Sequence, residues 1–69
     1  MTDDARIASA LRARAHWVRD AVDALQGRAE ELSGTTMQRL LRLQADMLRQ
    51  GAETLEERAL EVDPAQGHG

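Results

Sequence analysis

Three groups of residues in this 69-residue chain have types and spacings that could carry chemistry. His16, Asp20 and Asp23 follow an i, i+4, i+7 spacing, which on a helix places an imidazole and two carboxylates on one side, the beginning of a divalent-cation site. Glu53, Glu56, Glu57 and Glu61 crowd carboxylates together, the raw material of general acid–base catalysis. Arg12 and Arg19, then Arg42 and Arg49, recur one heptad apart and could follow a phosphate backbone. Each group lacks something its chemistry requires. A metal centre needs three or four convergent ligands with partners that orient them, and the His16 group falls short on an outward face. Acid–base work needs a sheltered cleft, which paired helices do not provide. The arginines share their edge with Glu56 and Asp46, so that edge reads as solvated and partly neutralised. There is no Cys or Tyr, no arrangement of Ser, His and Asp that marks a nucleophile, and no Gly-rich phosphate loop. His68 stands apart near the end of the sequence. The expectation is a non-enzyme with no metal, no cofactor and no small-molecule substrate.

The elements that position these residues are organised around the punctuation at Leu32, Ser33, Gly34, Thr35, Thr36, Met37 and Gln38. Before it, a small series at a (Ala8, Ala15, Val22, Ala29) alternates with a larger series at d (Leu11, Val18, Leu25, Leu32). After it, Ala45, Ala52 and Ala59 take a, and Leu41, Leu48, Leu55 and Val62 take d. Steps of three and four residues put both series on one helix face. Gly34 suits the left-handed residue that ends a helix, and Thr35 with Gln38 three residues later fits a capping box. A turn this short makes the helices antiparallel neighbours. Pairing residue i with 70 − i then sets apolar against apolar for most of the length, in eight layers: Leu32/Gln38, Ala29/Leu41, Leu25/Ala45, Val22/Leu48, Val18/Ala52, Ala15/Leu55, Leu11/Ala59 and Ala8/Val62. A small residue opposite a large one keeps layer volume even and lets the axes approach closely. The sequence therefore predicts an all-α fold, a coiled-coil-like two-helix antiparallel hairpin with Ala/Leu layers. Its single domain is residues 1–63, with helices at 3–33 and 36–62, a turn at 33–36, and a flexible tail at 64–69. Thr2 or Asp3 is the expected first cap. Gly27, at f, is carried through the helix at a cost of about 1 kcal/mol. Pro64 stops the second helix.

Charge adds an orientation. Each helix tends to be basic early and acidic late, with Arg19 and Arg28 blurring the trend in the first and Asp46 and Arg58 the exceptions in the second, so folding antiparallel brings opposite charges alongside, with Arg12 and Glu56 the clearest pair across the e edge. The basic residues are all Arg, nine of them against twelve acidic residues, and the net charge is −3, which weighs against nucleic acid as a partner. No apolar run approaches the roughly 18–20 residues of a membrane span. The acidic, polar start at Met1, Thr2, Asp3 and Asp4 is not a signal peptide. Cytoplasmic residence is expected, with secretion lacking a signal peptide as the alternative.

A two-helix seam needs only a and d, yet further apolar residues lie beside it. Ile7 and Ala21 occupy g in the first helix, with Ala10, Trp17 and Ala24 at c. In the second, Met37 and Gly51 occupy g, with Leu40 and Met47 at c and Leu43 nearby. Left uncovered, such a patch marks a contact surface, and Trp and Met are typical of interface cores. The expected interface is Ile7, Trp17, Ala21, Ala24, Met37, Leu40, Met47 and Gly51. Trp17 is its anchor, and Gly51 admits close approach of another backbone. The bland alternative lays Trp17 flat over its own hairpin. The partner expected is a second copy, giving a dimeric four-helix bundle, or another helical protein.

Two resemblances bear on this. The Ala and Leu layers from Ala8 to Val62 resemble Rop-type helical hairpins, which dimerise into four-helix bundles; the resemblance is architectural, and RNA binding would be its functional implication. Leu32, Ser33 and Gly34 are similar to the Trp-x-Gly turn of type VII-secreted ESX hairpins, with Leu in place of Trp. The Tyr-x-x-x-acid signal of that family has only its acidic end here, at Asp63. That resemblance implies a secreted helical partner.

Overall fold

The computed structural model describes residues 3–64. Two helices, α1 at Asp3–Glu31 and α2 at Thr36–Val62, pack against each other as a hairpin. Ala, Leu, Arg and Glu, all good helix formers, supply most of both. Asp3 and Asp4 in the first turn and Arg28 in the last complement the α1 dipole. The expected Thr2 cap lies outside the described residues, as do His68 and the tail beyond Pro64. α2 has no acidic residue in its first turn and no basic residue in its last, so its charges oppose its dipole and serve the pairing with α1 instead.

α1 stops at Glu31, short of the expected 3–33, because the turn begins tightening there. Leu32 donates its N–H to the Ala29 carbonyl at 3.1 Å, and Thr35 donates to the Leu32 carbonyl at 3.2 Å. Gly34 sits at φ 77°, the left-handed conformation that glycine adopts without a Cβ penalty. Thr35 is the N-cap of α2, and its Oγ1 accepts from the Gln38 N–H at 3.0 Å. The same hydroxyl donates to the Leu32 carbonyl at 2.7 Å. The expected capping box forms with one alteration. Gln38 Oε1 accepts from the Gly34 N–H at 2.9 Å rather than from that of Thr35. Its Nε2 reaches across to the Ala29 carbonyl at 3.0 Å. One amide thus joins the end of α1 to the start of α2.

The core follows the small series. Ala8, Ala15, Val22 and Ala29 on α1 and Ala45, Ala52 and Ala59 on α2 are buried. The larger residues Leu11, Val18, Leu25, Leu41, Leu48, Leu55 and Val62 are only half-buried. Leu32 is the exception among the expected core: it lies past the end of α1 and is exposed. Helix geometry explains the division. With a aimed at the partner helix, d lies about 60° to one side and e about 40° to the other, so each is covered on one flank only. Val22 is the largest side chain among the buried residues.

Candidate interaction surface

Placing the remaining positions on the same wheel gives the hairpin two unlike faces. On the d side, g lies about 120° and c about 160° from the seam; on the e side, b lies about 100° away. In an antiparallel pair the two d sides share one face and the two e sides share the other. The surface grooves follow this division. One, of about 480 Å³, is lined by Trp17, Val18, Asp20, Ala21 and Leu48. Apart from Asp20, these are the c, d and g residues of α1 with a d residue of α2. The other, of about 340 Å³, is lined by Ala29 with the polar or charged Gln26, Glu30, Arg42 and Asp46.

The d face carries most of the exposed apolar residues. Trp17 is 75% exposed, Met47 65%, and Leu40 54%, with Ile7 and Met37 also exposed; exposed Leu43, at f, lies outside this face. Ala21, Ala24 and Gly51 are exposed as well. Trp17 therefore does not lie down over its own hairpin. The near-mirror numbering of Trp17 and Met47 suggests neighbours across the seam. Both occupy c, however, so they stand at opposite rims of the face with the d residues between them. A Cβ built on Gly51 would meet nothing within 4 Å, so the hairpin itself does not require glycine there. Leu60 is a further exposed apolar residue. It sits at b on the polar side, outside the heptad pattern that identified the others.

The e face carries an ion pair that crosses between the helices, Arg19 with Glu56, and another within α2. Arg19 grips Glu56 with two hydrogen bonds, Nε to Oε2 at 3.2 Å and Nη2 to Oε1. This replaces the expected pairing of Arg12 with Glu56, and the cause is side-chain direction. Helical side chains lean toward their own N-terminus. Arg19 leans toward the level of Glu56, and Glu56 leans toward it; Arg12 and Glu56 lean apart. Arg19's hydrogen bonds hold the Glu56 carboxyl below the ordinary carboxylate range, with burial opposing and the guanidinium charge assisting. The hydrogen bond and charge of Glu56 raise Arg19 in turn. Arg49 Nη1 lies 3.1 Å from Asp46 Oδ1. Arg19 and Arg49 of that edge are therefore engaged by carboxylates.

The other sequence candidates are not gathered into a site. His16 Nε2 lies 3.6 Å from Asp20 Oδ2, both side chains well exposed. Among the described residues no three His, Cys, Asp or Glu side chains converge as metal ligands, and no helix is long and apolar enough to cross a membrane. Compared with protein-family models, with curated proteins and with solved structures, the chain matches none.

Proposed function

We propose that the protein acts without catalysis, as a helical interaction module whose d face binds a second copy to form a dimeric four-helix bundle. An adaptor or regulatory role would follow from that assembly. The observation that carries this reading is Trp17, 75% exposed beside half-covered Val18 and Leu48 on the face that also exposes Leu40 and Met47. Exposed aromatic anchors amid aliphatic surface are typical of interface centres. The size of the face supports it too. The hairpin measures 49 × 18 × 14 Å, so its broad side offers roughly 900 Å², comparable to the ~800 Å² per partner of a stable interface. Covering that side would also complete the burial of the d leucines.

Light scattering tests the proposal. The chain should run as a species larger than the 7.6 kDa monomer, and Trp17→Ala should move it toward monomer. A monomer that stays fully helical at high concentration would refute it. Tight binding to duplex RNA that falls steeply with salt and depends on Arg12, Arg19, Arg42 and Arg49 would point instead to the polar face.

A further inference from the structure

We infer that α2 carries a second contact surface on its outer side, filled by the same surface of another copy, which links dimers into larger assemblies; this rests on the self-association proposed above. On a helix whose a position faces the seam, c and f straddle the point diametrically opposite. In a hairpin standing alone this is the most solvated part of each helix, where charge belongs. α1 conforms, with Arg6, Asp20 and Glu31 at these positions. α2 does not. From Thr36 to Thr54 its c residues are Leu40, Met47 and Thr54 and its f residues are Thr36, Leu43 and Gln50, all exposed and all uncharged. Over the same span its b and e positions hold Arg39, Arg42, Asp46, Arg49 and Glu53, each of them charged. Charge on this part of α2 is confined to one flank, and the side turned furthest from α1 is free of it. Leu40 and Met47 also rim the d face, but Leu43 does not. A hairpin stacked on the d face leaves Leu43 as it stands, 58% exposed.

The polar groups on this side suit burial. Thr54 Oγ1 donates to the Gln50 carbonyl at 3.0 Å, so its proton is already satisfied within the helix. Thr36 and Gln50 bear neutral groups that both donate and accept, and covering them strands no charge. The choice of occupant follows from charge and from size. Interface centres are depleted of charged residues, and the outer side of α1 would bring Arg6, Asp20 and Glu31 into the contact. Of the two outer sides of the hairpin, only that of α2 matches that of α2, which is the condition for an isologous pairing. Thr36 to Thr54 spans about 27 Å of helix, and a flank ~10 Å wide gives roughly 300 Å². That is well below the ~800 Å² each partner contributes to a stable complex. A contact of this size suits copies already held in dimers, each of which presents it twice.

The test is sedimentation of the full chain over a concentration series, comparing Leu43→Glu with Ala13→Glu, a change at an exposed f position of α1. The unaltered chain should pass from dimer to larger species. Leu43→Glu should weaken that second step by about tenfold, and Ala13→Glu should leave it unchanged. A chain that stops at the dimer, or a Leu43→Glu variant that assembles as the unaltered chain does, would overturn the outer contact while leaving self-association through the d face standing. Equal weakening by Ala13→Glu would trace the effect to added charge alone and overturn it too. A chain that is monomeric throughout would defeat self-association itself, and the outer contact with it. Circular dichroism of each variant separates lost contact from lost helix.

Discussion

At the scale of single residues, the turn depends on Gln38 more than its place in a capping box suggests. Its carbonyl oxygen holds the Gly34 N–H and its amide nitrogen holds the Ala29 carbonyl. Gln38→Ala should therefore lower stability by about 1–2 kcal/mol, seen as a reduced urea midpoint with an unchanged slope. Gln38→Glu keeps the acceptor and loses the donor, so it should fall between. Capping chemistry is local, and Thr35 with Gln38 was legible from spacing alone. The bond to Ala29 was not, because it depends on where the two helix ends meet in space. The same contrast separates the Arg12 pairing from the Arg19 pairing: heptad position names both arginines, and only side-chain lean chooses between them. The Arg19–Glu56 pair also gives stability a pH dependence. Glu56 is lowered in the folded state, so its contribution is complete at neutral pH, where the unfolded carboxylate is also charged. It disappears as pH falls through the folded value, below the ordinary carboxylate range. Glu56→Gln should lower the urea midpoint at pH 7, and the gap should close by about pH 2 and narrow in ~1 M salt. An equal gap at both pH values would mean that the pair contributes through packing alone.

At the scale of the helices, glycine separates what the hairpin needs from what a partner would need. Gly27 and Gly51 both lie in helix interiors, and a Cβ on either would meet nothing within 4 Å. Gly27→Ala should raise stability by about 0.5–1 kcal/mol and leave association untouched, because f points away from both the seam and the d face. Gly51→Ala should improve the helix equally but weaken the dimer, measured as a higher dissociation constant in sedimentation. If both variants only stabilise, Gly51 is not at an interface. The helices and turn were legible because the a and d series continue in register to Gly34. The end of α1 was less so: Leu32 keeps the heptad in sequence, yet the tightening turn takes it out of the helix and leaves it exposed. Core depth was misjudged for a related reason. Periodicity identifies which residues face the partner helix, and with only two helices just the central position of that stripe is enclosed.

At the scale of the whole molecule, the two broad faces differ: one exposes Trp17, Leu40 and Met47, and the other carries the Arg19–Glu56 pair across the helices. The apolar residues were legible as a group, since their positions relative to d follow from the heptad. Their division between two rims, with Trp17 and Met47 on opposite sides, needed the handedness of an antiparallel pair. Leu60 was missed because it follows no stripe. The turn also has a consequence for how the molecule comes together in time. A loop of a few residues closes far sooner than distant parts of a chain meet, and topologies dominated by such local closure fold fast. With Gln38 fastening the two helix ends, the remaining layers can zip outward from Ala29 and Leu41 toward Ala8 and Val62, and separation starts from the open end. Amide hydrogens should accordingly exchange slowest around Ala29 and Ala45 and progressively faster toward Ala8 and Ala59, a gradient that NMR exchange rates would read residue by residue.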